Sequence, residues 1–359
     1  MKIAYLINYA GAGGSEKYVK LMIDAVQKRN HDVVFIYNEK GALSEWAENN
    51  LIKCYRIEMK NPFDIKASIK LAEICRKEKI DLVHVQFPRE NYIAIFSKLF
   101  THIKIIYTCH LIYEPQFTWR IFNRFFTPFD KNIIAVSGAV KKKLIRNGIS
   151  EKKIKVIYNG IIPQNGINTT TNIRNKYGIS EKDFLCVVLA RYTAEKGLDF
   201  LVNSFSKLKG KAKCIILGEG PLFDDIKELI YRNGLENSMI QAGYQNNVFD
   251  YLLSSDLLLN SSSSEAFSFA ILEGMAASLP VVATDVGGNR EMLKQFLECG
   301  EIVQYGDEEG FANSIEMLKK DKMLYETYAK NAFHNLQNKF HQDLMIKKTL
   351  DLYETETLG

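Results

Sequence analysis

The sequence predicts an α/β protein of two domains, each built around a parallel sheet. Short apolar runs alternate with longer amphipathic segments along all 359 residues, the pattern of repeated strand–helix–strand units. Near the middle, residues 159–172 break this alternation with a polar, turn-rich and uncharged stretch, Asn-Gly-Ile-Ile-Pro-Gln-Asn-Gly-Ile-Asn-Thr-Thr-Thr-Asn, which reads as a linker. Charge divides at the same place. Residues 1–165 hold 27 Lys and Arg against 15 Asp and Glu, whereas residues 166–359 hold 20 against 27. The expected boundary therefore falls between residues 163 and 164.

In the first part, strands are expected near 2–8, 32–37, 52–57, 81–86, 103–109, 131–137 and 154–158. Helices are expected near 15–30, 63–79, 90–100, 116–126 and 138–147. The opening Met-Lys-Ile-Ala-Tyr-Leu-Ile-Asn is too short for the apolar core of a secretory leader and reads as a first strand. A second alternation runs from about 184 to 304. The tail from about 307 to 357 reads as helical, with Phe311, Ile315, Leu318, Tyr325, Tyr328 and Phe333 at helix-like spacing.

Composition narrows the function classes. Hydrophobic residues make up 47% of the chain and charged ones 25%, the balance of a globular protein. No apolar run approaches the roughly 18 residues of a membrane span. The cysteines (Cys54, Cys75, Cys109, Cys186, Cys214 and Cys299) are scattered without Cys-x2-Cys spacing. That argues against a disulfide frame or structural zinc and for a reducing cytoplasm. The basic first half is unaccompanied by a nucleic-acid-binding motif, so nucleic acid is not an expected partner.

The chemistry-bearing positions cluster at expected strand ends. Leu185-Cys-Val-Val-Leu-Ala-Arg191 is a buried-strand run, and Tyr-Thr-Ala-Glu-Lys196-Gly then opens a helix. Arg191 and Lys196 thus fall where backbone amides and the helix dipole favour anions. A second strand ends at Gly218-Glu-Gly-Pro. Further on, Glu265 follows four serines and should lie in a loop. Glu273 should lie on a helix that starts near Ser268, with Phe267, Phe269, Ile271 and Leu272 read as core. A carboxylate in such surroundings costs several kcal/mol, on the order of 2–7 or more, unless something polar meets it. Sugar and ribose hydroxyls are natural partners; a helix-face ion pair is the plain alternative.

Two features belong to the first part. Gly11-Ala-Gly13-Gly14-Ser15 follows the first strand; its glycines allow close backbone approach to a phosphate, and Ser15 is positioned to cap the next helix. A dehydrogenase would also place a glycine loop here. This one lacks the Gly-x-Gly-x2-Gly spacing, however, and the second strand ends Phe-Ile-Tyr-Asn38 with no acidic residue for a ribose. His110 ends the strand Lys-Ile-Ile-Tyr-Thr-Cys-His, at the sheet edge where ligands of α/β proteins bind. The other histidines read as structural or surface groups.

In order, Arg-x4-Lys-Gly, Gly-x-Gly-Pro, Glu-x7-Glu and Pro-Val-Val-Ala-Thr-x2-Gly-Gly-x2-Glu resemble the C-terminal domain of the retaining, GT-B-fold nucleotide-sugar glycosyltransferases of family 4. The resemblance implies two Rossmann-like domains, 1–163 and 164–340, facing across a cleft, and a C-terminal helix, 341–359, crossing back to the first domain. It implies catalytic roles for His110, Arg191, Lys196 and Glu265. Donor binding would fall to Gly13, Gly14, Gly218, Phe267, Ser268, Phe269 and Glu273. Arg191 and Lys196 would hold the departing diphosphate, Glu273 the ribose hydroxyls, Glu265 the sugar and its cationic centre, and His110 the sugar from the other wall.

The implied partners are a nucleotide-sugar donor, UDP-linked, and a hydroxyl acceptor on a glycan, lipid or protein in cell-surface glycan or glycolipid synthesis. No cofactor is expected, and since no Asp-x-Asp triplet occurs, no metal. The aromatic and basic stretch 117–129 reads equally as ordinary core or as a patch for an anionic membrane surface; the second reading would place a cytoplasmic enzyme peripherally at the inner face of the plasma membrane. Three positions depart from the family pattern: Ser268 stands for glycine, Ile162 for aspartate and Tyr305 for proline. The alternatives are a GT-B nucleotide-sugar epimerase and a dehydrogenase-like nucleotide-binding protein.

Overall fold

The computed structural model describes residues 1–11, 13–112, 117–127, 132–163 and 172–358. Residues 164–171 of the expected linker and 128–129 of the aromatic stretch lie outside that set. The chain divides into two units, Met1–Asn159 with Leu344–Gly359, and Gly160–Asp343.

The first unit is a seven-stranded parallel sheet with order β3-β2-β1-β4-β5-β6-β7. Its strands are β1 (Lys2–Tyr9), β2 (Asp32–Glu39), β3 (Lys53–Arg56), β4 (Leu82–Val85), β5 (Lys104–Cys109), β6 (Asn132–Ala135) and β7 (Ile154–Val156). Ile3 through Ile7 and Val34 through Ile36 are fully buried, as expected where helices cover both faces of a parallel sheet. The helices are α1 (Gly14–Lys28), α2 (Ala42–Asn49), α3 (Ile65–Glu78), α4 (Pro88–Ser97), α5 (Phe117–Phe126) and α6 (Gly138–Arg146). Side-chain caps start two of them: Asp64 accepts from Ala67 N at 3.0 Å, and Ser137 from Val140 N at 3.1 Å. Helix α2 is an element that the sequence reading does not include. It buries only Leu43, Ser44 and Ala47, and its start is fixed by Gly41 N donating to Ser44 Oγ at 3.0 Å.

The second unit begins with α7 (Ile173–Lys176) and holds a six-stranded parallel sheet of order β10-β9-β8-β11-β12-β13. The strands are β8 (Leu185–Leu189), β9 (Lys213–Leu217), β10 (Met239–Gly243), β11 (Leu257–Asn260), β12 (Val281–Thr284) and β13 (Gly300–Val303). Between them run α8 (Leu198–Ser206), α9 (Phe223–Arg232), α10 (Val248–Leu253), α11 (Phe269–Ala276) and α12 (Asn289–Lys294). The helical tail is three helices, α13 (Glu308–Lys320), α14 (Lys322–Lys339) and α15 (Gln342–Leu358). Asp321 separates the first two by capping α14, accepting from Leu324 N at 2.9 Å.

Each sheet reverses its winding once, between β1 and β4 in the first and between β8 and β11 in the second. Crevices open beyond the carboxyl ends of the strands at such switch points, where doubly wound folds bind ligands. This is the expected pair of Rossmann-like units.

From Leu344 onward α15 belongs to the first unit, and a buried polar chain fastens it there. The Tyr353 hydroxyl lies 3.1 Å from that of Tyr5 and 2.5 Å from His84 Nδ1, while His84 Nε2 is 2.7 Å from Thr108 Oγ1. Tyr5, His84, Thr108 and Tyr353 are fully buried. Burial holds the His84 imidazole down at about 3 and pushes the Tyr5 and Tyr353 hydroxyls up, so this network is uncharged near neutrality. Tyr353→Phe removes the central hydroxyl and strands two buried partners. It should lower the stability of the unit by about 1–3 kcal/mol, read as a drop in the urea midpoint monitored by helix signal. An unchanged midpoint would show that the helix is held by apolar packing alone.

Candidate functional site

The carboxyl edge of the second sheet gathers most of the chemistry. Beyond β8 the chain passes Arg191, turns through Ala194–Lys196 and enters α8. Gly197 makes that entry possible. Its φ is +57°, and a Cβ there would stand 2.3 Å from the Ser261 carbonyl oxygen. Lys196 Nζ donates to Glu265 Oε2 at 2.7 Å, with both side chains largely covered (21% and 14% exposed). Arg191 differs. It is 68% exposed and only 3.4 Å from the exposed Glu195 carboxylate, so most of its donors face solvent.

The serine run before Glu265 is a scaffold as well as a loop. Ser261 Oγ donates to the Lys196 carbonyl at 2.9 Å, and Ser263 N to the Glu195 carbonyl at 2.9 Å. Ser262 Oγ donates to Glu265 Oε2 at 3.3 Å. The loops after β8 and β11 are thereby laced together, and Lys196 and Glu265 come with them.

Beneath the loop lies a buried amide and hydroxyl network. Asn260 donates through Nδ2 to Ser268 Oγ at 3.1 Å, and Asn289 Nδ2 donates to Asn260 Oδ1 at 3.3 Å and to the Thr284 carbonyl at 3.1 Å. Thr284 Oγ1 donates to the Ser262 carbonyl at 2.5 Å. Asn260, Ser268, Thr284 and Asn289 are all buried. Asn260, Thr284 and Asn289 support the loop from below and are absent from the sequence reading. The sequence signal for Asn260 and Thr284 is a polar residue at the end of an otherwise apolar strand, whereas Asn289 opens α12.

The remaining positions fall as follows. Gly218, at φ +130°, lies so close to the Ala190 carbonyl oxygen that a Cβ would be 2.0 Å from it; it keeps β9 and the β8 loop in contact. Ser268 is the N-cap of α11, accepting from Ile271 N at 3.3 Å, and its side chain points into the interior. Phe267 is buried with its ring 5.4 Å from that of Phe340, whereas Phe269 and Glu273, on α11, are half-buried. A cavity of about 360 Å³ lies where the β8 loop meets α8 and α9, lined by Tyr192, Thr193, Leu198, Leu222 and Leu229. It includes none of Arg191, Lys196, Glu265 or Glu273.

In the first unit, His110 lies just past β5. Its Nε2 is 3.0 Å from Gln86 Oε1, its ring packs edge-on against Tyr18 at 4.9 Å, and burial drives its imidazole down to about 3. The glycine loop brings its own carboxylate. Gly13 is the N-cap of α1 and has no side-chain cap. Glu16 is buried, and a Cβ on Gly13 would stand 2.7 Å from its Oε2. Ser15 therefore does not cap α1 as expected. It lies inside the helix and donates to Glu16 Oε2 at 2.7 Å, because that carboxylate already occupies the positive end of the helix. Gly14 is the first residue of α1.

Among the described residues, no group of three or more His, Cys, Asp or Glu is arranged to hold a metal ion, and no helix is long and apolar enough to cross a membrane. Ser268→Ala should destabilise the second unit by about 0.5–2 kcal/mol through loss of the α11 cap, and Ser268→Thr should restore most of it. Urea titration of both variants checks this; equal midpoints for Ala and Thr would remove the cap from the account.

Sequence and structure comparisons bear on what this site belongs to. The family model described as Glycosyl transferases group 1 matches residues 169–335, and that described as Glycosyltransferase Family 4 matches residues 12–165. The chain is 25% identical to the N-acetyl-alpha-D-glucosaminyl L-malate synthase of Bacillus anthracis, over 96% of this chain and 94% of the relative. A glycosyltransferase structure from Rickettsia africae matches with a TM-score of 0.85 at 26% identity, covering 100% of this chain and 98% of the other. HepE of Anabaena, in complex with UDP-glucose, matches with a TM-score of 0.86 at 20% identity, covering 99% and 100%. Two parallel-sheet units, matched along nearly the whole chain by glycosyltransferases, make this protein a member of the GT-B-fold glycosyltransferase superfamily.

Proposed function

We propose that the protein is a retaining hexosyltransferase of family 4. It moves a sugar from a nucleoside diphosphate sugar, a UDP-sugar, to a hydroxyl on a glycan, lipid-linked or protein acceptor in cell-surface glycan or glycolipid synthesis. The observation that carries this reading is the Lys196–Glu265 pair at 2.7 Å at the switch point of the second sheet, with the exposed Arg191 on the same loop as Lys196. A nucleotide sugar losing its diphosphate develops negative charge on the phosphate oxygen and positive charge at the anomeric carbon. A cation and a carboxylate held one hydrogen bond apart match that separation of charge.

In this reading Arg191 and Lys196 neutralise the departing diphosphate. Preorganised groups of this kind each supply on the order of 2.7–4 kcal/mol of transition-state stabilisation. Glu265 meets the sugar and the cationic centre, Glu273 the ribose hydroxyls, and His110 a substrate hydroxyl. The new bond joins the anomeric carbon to the acceptor oxygen as the bond to diphosphate breaks, and the acceptor proton is released. The UDP-glucose complex of HepE supports the choice of donor class.

Helix α5 supports a membrane-borne acceptor. Ile121, Phe122 and Phe125 are 44%, 39% and 69% exposed, and Arg120 and Arg124 on the same helix are also exposed. Apolar side chains interleaved with arginines suit the headgroup region of anionic lipid.

Three measurements test these readings. Glu273→Ala should weaken UDP binding in calorimetry, whereas Glu265→Ala should reduce single-turnover transfer more than it reduces UDP affinity. The assignment fails if both variants bind and turn over as the parent does. Replacing Ile121 and Phe125 with serine should abolish sedimentation with phosphatidylglycerol vesicles while sparing UDP affinity; undiminished sedimentation would exclude α5 as the contact.

A further inference from the structure

The environment of His110 determines which of its nitrogens meets substrate. Gln86, just beyond β4, is fully buried. Its Nε2 donates to the His84 carbonyl at 3.3 Å, and its Oε1 lies 3.0 Å from His110 Nε2. Turning the amide over would bring two acceptor oxygens together at the His84 carbonyl. The carbonyl therefore fixes the amide, and the amide oxygen then needs a proton on His110 Nε2. His110 Nδ1 makes no hydrogen bond among the described residues.

We propose that Gln86 is a positioning residue that holds His110 as the neutral Nε2–H tautomer, so that the Nδ1 lone pair is the atom presented to substrate. His110 then accepts a hydrogen bond from a substrate hydroxyl; it does not donate one. The step from tautomer to substrate contact rests on the transferase reading, but the tautomer itself does not.

The surroundings keep the ring neutral. Packed against it are Tyr18 of α1 and Phe87 of the β4–α4 loop, and repulsion between the two imidazoles falls on His84 of β4. The Tyr18 hydroxyl is pushed up to about 12 and the His84 imidazole down to about 3, both by burial, so neither is charged between pH 5 and 8. With His110 itself down at about 3, Nδ1 stays unprotonated over that range. A carboxylate in place of the Gln86 amide would favour imidazolium and raise its pKa. Nδ1 would then become a donor, and turnover would fall as pH drops through the raised value.

The test uses the full chain labelled with 15N-histidine. Long-range proton–nitrogen correlation spectra, assigned by the signals lost in His110→Gln, should show Nε2 protonated and Nδ1 bare from pH 5 to 8. A protonated Nδ1 in that range would overturn the proposal. This measurement needs no substrate and decides the tautomer even where the transferase reading fails. Gln86→Met, which keeps size but cannot accept from nitrogen as an amide does, should mix the tautomers and lower kcat/KM by roughly tenfold or more. Gln86→Glu should add an acidic limb to the pH–rate profile that the parent lacks. Parent-like spectra and a parent-like pH profile in both variants would overturn the role of Gln86.

Discussion

The Glu265 carboxylate and the Lys196 ammonium, 2.7 Å apart and largely out of water, set what the surrounding loops must do. Removing either partner would leave a poorly solvated charge, which costs far more than an exposed pair contributes. Both side chains must therefore be delivered to the same place from loops that follow different strands. The structure meets this requirement with backbone contacts. Ser261 and Ser263 bond to the carbonyls of Lys196 and Glu195, and Gly197 and Gly218 admit approaches that any Cβ would block. The Asn260, Thr284 and Asn289 network then fixes the floor on which those loops rest.

The arrangement follows from topology. A parallel doubly wound sheet turns its loops at the switch point to opposite faces and leaves a gap beyond the strand ends. In the second unit that gap falls between β8 and β11, the two strands whose loops carry Lys196 and Glu265. In the first unit it falls between β1 and β4, beside the glycine loop and Gln86. The second-unit edge holds the Lys196–Glu265 pair and the exposed Arg191; at the first-unit edge the Glu16 carboxylate stands at the glycine loop, and the His84 and His110 imidazoles are neutral near pH 7.

The strands were legible because a strand buried on both faces is a continuous apolar run, and flanking glycines and polar residues punctuate it. That places Arg191 and Lys196 past a strand end and Glu273 on a helix beginning beside Ser268, where the structure has them. Helix α2 was not legible, since eight residues with only Leu43 and Ala47 as apolar buried positions give too little periodicity. The pairing of Lys196 with Glu265 was not legible either. They are 69 positions apart, and only the sheet order brings their strands together. The serine run could be read as a loop, but its contacts with the β8 loop depend on that same adjacency. Gln86 carries no local signal, because its role is set by a carbonyl on β4 and a histidine beyond β5.

Burial also reverses the usual roles of residue types in the first unit. Histidine is ordinarily the side chain that changes charge near neutrality, yet His84 and His110 are held down at about 3. The group moved to about 7 is a carboxyl, Glu90 in the first turn of α4. Burial raises it against the pull of the Asn8 and Glu90 backbone amides and the Arg89 charge. A carboxyl raised in the folded state contributes stability below its ordinary unfolded value, and that contribution is lost as pH rises through about 7. The histidines have the opposite sign: their contribution is present above the ordinary imidazole value and lost as pH falls toward 3. Between those limits both imidazoles of the folded unit are neutral and Glu90 is still largely protonated. In that window a neutral His110 can meet a hydroxyl as a lone-pair acceptor, a role that its charged form cannot fill.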